Sequence, residues 1–359
     1  MLDEPKPTPQ TVDLHWIHPP ETAAFLLAEL GRVWPAGDHR PAAGGGWTES
    51  RVSLDPDASP SVAFALQCLP APTVLVGGSI RELAERTGGL LADRLGESPA
   101  AWHFQQFTGG RPLEVRPGRL KLFREHLKAW FAKKRRSLAR SLAGEGICGS
   151  DRPGWLVQVC WLENERLAVS VAGEGLRGQL RRVISPHPGG VFLAPIDRRP
   201  PSRAYLKLLE AEAQLGRAIG AGEACVDLGG SPGGWSWVAL ERGATVVGVD
   251  RAPFRADVDA NPRFSFVTGD AFKYAPPGRV DWLLCDVIAA PERTIELVEN
   301  WFSNRWCRNF TVTVKFRGDE DYPLLEQVKR TAGECGAEFI LRRLLANKNE
   351  TTLFGSLPD

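Results

Sequence analysis

Along the C-terminal half of the chain, apolar residues gather in short runs separated by stretches of helical spacing. The runs at 224–228, 245–250, 264–267, 282–286, 311–316, 338–344 and 351–357 predict strands. Apolar positions recurring at three- and four-residue intervals predict helices at 202–219, 235–242, 292–301 and 324–335. Runs such as Trp282-Leu-Leu-Cys-Asp286 lack polar alternation, which marks strands buried on both faces of a mostly parallel sheet. The last two strands are close in sequence and predict an antiparallel hairpin at one edge. The expected fold class is α/β, a Rossmann-like doubly wound domain with a seven-stranded sheet.

The pattern before residue 200 is less regular. Helical spacing covers 21–33, a glycine triplet marks a loop at 42–47, and Thr73-Val-Leu-Val76 reads as a strand. An amphipathic helix follows at 79–95 with Ser79 as its cap, then a strand at 102–107. A long helix is expected over 120–142, with Leu122, Phe123, Leu127, Trp130 and Phe131 as its apolar face. Strands at 155–161 and 166–171 would pair through Glu163-Asn-Glu165, and the Pro-rich 195–201 reads as a linker. These signals predict α+β modules at 1–70 and 71–195, followed by a domain at 196–359.

Composition narrows the class. A chain of 359 residues has room for two or three cores, and its formal net charge is only +1. The seven cysteines form no CxxC pair, which suits buried thiols in a reducing compartment and no zinc site. The start, Met1 to Gln10, is polar and Pro-rich, and no run of eighteen apolar residues appears. The expectation is a cytoplasmic, metal-free monomer. Charge is unevenly distributed, however: residues 105–203 hold 19 Lys/Arg against 8 Asp/Glu. Such a segment is either a polyanion-binding surface or a set of solvated helix faces.

The chemistry concentrates in Cys225-Val-Asp-Leu-Gly-Gly-Ser-Pro-Gly-Gly-Trp235. A strand ends in Asp227 and breaks into a glycine-rich turn before a helix, leaving backbone N–H groups bare beside the helix N-terminus. Asp227, Gly229, Gly230, Ser231, Pro232, Gly233, Gly234 and Trp235 form a candidate cofactor cradle. The spacing departs from GxGxxG, which argues against a nicotinamide cofactor. Asp250 ends the next strand about twenty residues on, where a carboxylate can accept from ribose hydroxyls. Asp270 ends the third strand and either meets an adenine amino group or caps a helix.

The stretch Asp227-Leu-Gly-Gly-Ser-Pro-Gly-Gly-Trp-Ser236 resembles the S-adenosylmethionine motif of the FtsJ-type ribose 2′-O-methyltransferases. Ser202-Arg-Ala-Tyr-Leu-Lys-Leu-Leu-Glu210 is similar to the helix that precedes it in that family. The resemblance covers Ser202 to the C-terminus and implies a Lys-Asp-Lys-Glu catalytic set at Lys207, Asp286, Lys315 and Glu350. Asp286 would also adjoin the cofactor. Within the family the likeness is to the bacterial 23S rRNA cytidine 2′-O-methyltransferases of the RlmM type, through the Pro-Ser-Arg segment, Asn300-Trp-Phe-Ser-Asn-Arg-Trp-Cys307 and overall length. That likeness implies ferredoxin-like and THUMP-like RNA-binding modules before the catalytic domain. In place of the expected continuation after Lys315 stands Phe316-Arg-Gly-Asp-Glu-Asp321.

Moving a methyl group onto a ribose hydroxyl requires removal of its proton. A lysine serves as base when its pKa is lowered, and the sequence assigns that effect on Lys315 to a neighbouring Lys207. Cys285 precedes Asp286 inside an apolar strand and reads as a core thiol, not a nucleophile. The RNA-binding candidates are Lys133, Lys134, Arg135, Arg136, Arg140, Arg181, Arg182, Arg198, Arg199 and Arg203, each also readable as a solvated charge. The implied partner is 23S rRNA or a ribosomal precursor. Two other classes fit a nucleoside-binding fold: an NAD(P) oxidoreductase and a non-catalytic RNA-binding or ribosome-assembly factor.

Overall fold

In the computed structural model, which describes residues 9–43, 45–96, 98, 100–108, 111–112, 117–143, 154–163 and 166–359, the chain divides into two units, Met1–Val191 and Phe192–Asp359. Both N-terminal modules expected from the sequence lie in the first unit, apart from residues 192–195.

The first unit begins with β1 (Gln10–Ile17), α1 (Ala23–Val33), β2 (Asp38–Pro41), β3 (Trp47–Leu54) and β4 (Gln67–Pro70). They form an antiparallel sheet of order β2-β3-β1-β4. A ferredoxin-like module would carry a second helix between β3 and β4. Residues 55–66 form none, because Pro56 and Pro60 interrupt the segment and the buried Glu29 carboxylate of α1 accepts from the backbone of Ala63 and Phe64. A second sheet, order β5-β9-β8-β6-β7, is built from β5 (Thr73–Val76), β6 (Ala100–Thr108), β7 (Arg111–Pro112), β8 (Trp155–Glu163) and β9 (Arg166–Ala172). The expected link Glu163-Asn-Glu165 falls partly outside the described residues.

Helix α2 (Ile80–Leu95) is capped by Ser79, whose hydroxyl accepts from Glu82 N. The expected single helix at 120–142 is two, α3 (Pro117–Lys134) and α4 (Arg136–Ala143), divided at Arg135 within four successive cations. Its apolar face is also turned from the expected one: Leu120, Phe123, Leu127, Phe131, Leu138 and Leu142 are buried, while Leu122 is exposed. The i, i+3, i+4 geometry selects Leu120 over Leu122 for the stripe that packs on the second sheet. A short α5 (Glu174–Gln179) completes the unit.

The second unit follows the apolar runs closely. After α6 (Tyr205–Leu215) come β10 (Ala224–Leu228), α7 (Gly234–Glu241), β11 (Thr245–Asp250), α8 (Ala256–Asp259), β12 (Phe264–Thr268) and β13 (Val280–Cys285). Then follow α9 (Pro291–Ser303), β14 (Cys307–Lys315), α10 (Leu324–Glu334), β15 (Glu338–Arg342) and β16 (Glu350–Ser356). The sheet order is β12-β11-β10-β13-β14-β16-β15, with β12 through β14 parallel and β16 antiparallel to both neighbours. This is the Rossmann-like architecture expected. The chain winds outward from β10 to β12, then returns to lay β13 on the other side of β10. A crevice opens at that reversal, outside the C-terminal strand ends.

Two buried histidines make the first unit acid-sensitive. Burial, with Arg166 nearby, lowers the pKa of His15 to about 4, and burial, with His187 nearby, lowers that of His103 to about 4. Both stay neutral in the fold, while the unfolded chain binds protons from about pH 6.5 downward. Stability is therefore full above pH 6.5 and falls as pH drops toward 4, on the order of 3 kcal/mol per histidine at the limit. Amide exchange of β1 and β6 in the full chain should accelerate across that window; constant protection from pH 7 to 4 would contradict it.

Candidate active site

Each residue of the implied tetrad sits where an element ends or turns. Lys207 lies in the first turn of α6, Asp286 follows the last residue of β13, Lys315 ends β14 and Glu350 begins β16. The antiparallel register pairs Lys315 directly with Glu350. The side chains close into an alternating ring of charge. Lys207 Nζ donates to Asp286 Oδ1 at 2.7 Å and to Glu350 Oε1 at 2.9 Å. Lys315 Nζ donates to the same Asp286 Oδ1 at 2.7 Å and to Glu350 Oε2 at 2.9 Å. Lys207 and Glu350 are buried, and Asp286 and Lys315 are partly open.

The electrostatics correct one expectation. Burial draws the Lys315 pKa down, but Asp286 and Glu350 outweigh it and hold the ammonium above its ordinary value. Lys207 does not make Lys315 a free base in this state, since each cation is matched by the same two carboxylates. Burial pushes the Glu350 carboxyl up, and bonds from Lys315 and Lys207 bring it down to about 2. Burial raises the Cys285 thiol to about 12, in keeping with a core cysteine.

The ring opens onto a cavity of about 660 Å³ in the crevice, lined in part by Asp227, Gly230, Asp250, Asp270, Asp286 and Lys315. A nucleoside-sized ligand fits such a volume. Gly229 has φ +67°, and a Cβ there would lie 2.7 Å from Val287 Cβ; a Cβ on Gly230 would collide with the Asp227 carboxylate. Ser231 and Pro232 also line the cavity, as does Gly234 against Ser202. Gly233 faces Phe254 and Val258, so it serves packing. Asp227 is buried and accepts from Ser236 N (3.1 Å) and Ser236 Oγ (2.6 Å), leaving Oδ1 with no protein partner. Burial raises its pKa to about 7. That orphaned oxygen, beside a loop with no room for side chains, suits a polar cofactor in the cavity.

Trp235, Asp250 and Asp270 line the same cavity and also make bonds within the fold. Trp235 is buried, and its indole N–H donates to Ala204 O at 2.7 Å, tying the glycine loop to the start of the Lys207 helix. Asp250 accepts from Ser231 N and Ala252 N, which fixes the loop. Asp270 is the cap of a short 3-10 turn, accepting from Phe272 N, and pairs with Arg251 at 2.8 Å. The sequence reading missed Arg251, Ser236 and the Arg293 guanidinium, which lies 4.3 Å over the Phe272 ring at the cavity wall. Ser236 closes the glycine-loop motif and could have been read from it, whereas Arg251 and Arg293 belong to no local motif.

Among the basic candidates, Lys133, Lys134, Arg135, Arg136 and Arg140 are exposed around the α3–α4 junction, as are Arg181, Arg198 and Arg203. Arg182 is half-buried and donates to Ser59 O. Arg199 is bound to the Asp197 carboxylate in three side-chain bonds, pairs with Glu241 and covers Trp237, so it braces the second unit.

Residues 200–324 match the family model of the FtsJ-like methyltransferases. The chain is 32% identical over 241 residues to a ribosomal RNA large subunit methyltransferase M of Laribacter hongkongensis, covering 64% of this chain and 66% of that protein. Proteins of the same name from Chromohalobacter salexigens (29% over 255 residues, 67% and 66% covered) and Alkalilimnicola ehrlichii (36% over 184 residues, 49% of each) are also similar. The matches thus span between 49% and 66% of these relatives' lengths.

The glycine loop's close packing offers a direct test. Gly230→Ala forces its methyl group into the Asp227 carboxylate, an overpacking that costs about 1–3 kcal/mol. Calorimetry with S-adenosylmethionine should show an affinity loss of roughly 10- to 100-fold. Wild-type affinity in this variant would exclude the loop as the cradle.

Proposed function

Taking residues 200–324 as an FtsJ-like methyltransferase domain, we propose that the protein transfers a methyl group from S-adenosylmethionine to a ribose 2′-hydroxyl of RNA, the acceptor being a cytidine of 23S rRNA. The observation that carries this reading is the closed Lys207–Asp286–Lys315–Glu350 ring, half buried and opening through Lys315 and Asp286 onto the glycine-loop cavity. An NAD(P) oxidoreductase or a non-catalytic assembly factor leaves that buried charge without a purpose. The relatives named for ribosomal RNA support the acceptor class. The working form in this reading is a cytoplasmic monomer.

When bound, S-adenosylmethionine supplies an electrophilic methyl group on a sulfonium. Gly229, Gly230, Asp227 and Asp250 would hold the cofactor. Lys207, locked between Asp286 and Glu350, keeps both carboxylates aimed at Lys315 and at an incoming ribose. Lys315 begins protonated, so its proton must first pass to solvent water at the open side of the ring. A cation in the adjoining cavity, and later loss of water around the amine, would favour the neutral form. The neutral amine then takes the 2′-hydroxyl proton as the oxygen–methyl bond forms and the carbon–sulfur bond breaks. The exposed cations Lys133 to Arg136 and Arg140 hold RNA phosphates.

Lys315→Ala should lower methyl transfer at least about a thousandfold, as loss of a base in a concerted site does, with cofactor affinity changed less than about threefold. Labelled S-adenosylmethionine and rRNA from a strain lacking the protein read the transfer, and mapping the labelled ribose reads the position. Retained turnover would end the tetrad reading. Replacing Lys133, Lys134, Arg135 and Arg136 by Gln should flatten the salt dependence of RNA binding by about 0.7 in log–log slope for each phosphate no longer neutralised. An unaltered slope would place the RNA elsewhere.

A further inference from the structure

The segment that delivers Glu350 begins with two asparagines, Asn347 and Asn349, and each is bonded on both ends of its amide. Asn347 is buried, and its Oδ1 accepts from Leu344 N at 2.7 Å and Thr352 Oγ1 at 3.2 Å. A backbone N–H can meet only the oxygen, so the amide orientation is fixed. Its Nδ2 therefore faces Glu350 Oε1 and donates to it at 3.3 Å, on the oxygen that also receives Lys207.

Asn349 works on the opposite partner. Phe316 N donates to Asn349 O at 3.0 Å, and Asn349 Nδ2 donates back to Phe316 O at 3.0 Å. The side-chain amide takes the place of a backbone N–H, extending the antiparallel ladder one step past Lys315 and Glu350. The Phe316 carbonyl can only accept, which fixes this amide as well, and Tyr322 Oη donates to the Asn349 Oδ1 so placed at 2.7 Å. Closing the ladder at Phe316 and Asn349 makes Lys315 and Glu350 the adjacent non-hydrogen-bonded pair, whose side chains lie nearest each other. The turn itself is tied to the Lys207 helix, since Glu210 accepts from Leu345 N through both oxygens, at 3.1 and 3.0 Å.

We infer that Asn347 and Asn349 are positioning residues of the methyl-transfer site: Asn347 sets the plane of the Glu350 carboxylate between the two lysines, and Asn349 locks the strand end that presents Lys315. The inference rests on the function proposed above. Neither residue touches the cofactor cavity, so both act through the tetrad.

The decisive variant is Asn347→Asp, which keeps the acceptor for Leu344 and Thr352 but sets a second carboxylate against Glu350. NMR titration of the Lys315 side chain in the cofactor-free protein should show it moved further upward, because the added carboxylate favours the ammonium. Asp286 on the β13 loop, Glu350 on β16 and the two lysines on α6 and β14 are the charges that share the effect. Single-turnover methyl transfer to rRNA should slow about 10- to 100-fold, with RNA KM and cofactor Kd within about twofold, since misplacement at a reacting centre acts on rate. Asn349→Ala should slow transfer over the same range without altering cofactor affinity.

An unmoved Lys315 titration together with a wild-type rate in Asn347→Asp would overturn the inference. So would a rate loss accounted for by weaker cofactor binding or by a lower melting temperature in both variants. A Lys315 titration that moves as expected, in a protein whose wild type methylates no RNA, would sink the proposed function and leave the positioning role standing.

Discussion

Four charges held in alternation are the constraint around which the second unit is arranged. Lys207 and Lys315 share one oxygen of Asp286 and divide the two oxygens of Glu350. No member can be removed without leaving an unmatched charge in a largely buried place, a cost on the order of 3–5 kcal/mol. The ring also couples elements distant along the chain: a helix before the sheet, two parallel strands and an antiparallel strand must all end at one point. Strand register at β14 and β16 is consequently under chemical as well as packing control, because a one-residue slip would turn Lys315 or Glu350 to the other face.

The shape of the glycine loop follows from close approach. Three surfaces converge on the glycine loop, namely Val287 against Gly229, Asp227 against Gly230 and Ser202 against Gly234. A side chain at any of these positions would push the loop away from the strand ends. Trp235 then links this loop to Ala204, three residues before Lys207, so the cradle and the tetrad share a support. Asp227 spends one oxygen on Ser236 and holds the other in reserve beneath the cavity. The glycine loop and the charge ring are neighbours because β10 and β13 are neighbours.

The first unit uses different physics. Its helices pack on their sheet through Phe123, Leu127 and Phe131, which lets consecutive cations project from the junction between α3 and α4. Aromatic pairs such as Phe123 with Trp161 and Trp102 with Phe131 hold that packing. Polar ties such as Gln158 to Cys68 O and Ser170 to Pro70 O join the two sheets. Burial of His15 and His103 in the neutral form is the accompanying cost.

The sequence alone determined the catalytic unit's strands and helices, because runs buried on both faces and helical spacing are local signals that survive without a partner. It also located the glycine loop, the acid of each strand end and the four tetrad positions, the last through resemblance. The folded state of the first unit was less legible: β2 and β4 are short, the strands β1 and β3 carry polar residues through their length, and Leu122 and Leu120 are separated only by which helix face meets the sheet. Tertiary structure alone decided the protonation of Lys315, since two carboxylates from separate strands outweigh one nearby lysine. It likewise decided that Asp270 caps a turn and pairs with Arg251, that Trp235 and Arg199 brace the fold, and that two asparagines aim Glu350 and Lys315. The Asp270 cap and the Arg199–Asp197 pair are local bonds, and the sequence leaves the cap open as one of two readings. Most of the other outcomes depend on distances between residues remote in the chain, of which spacing along the sequence carries no record.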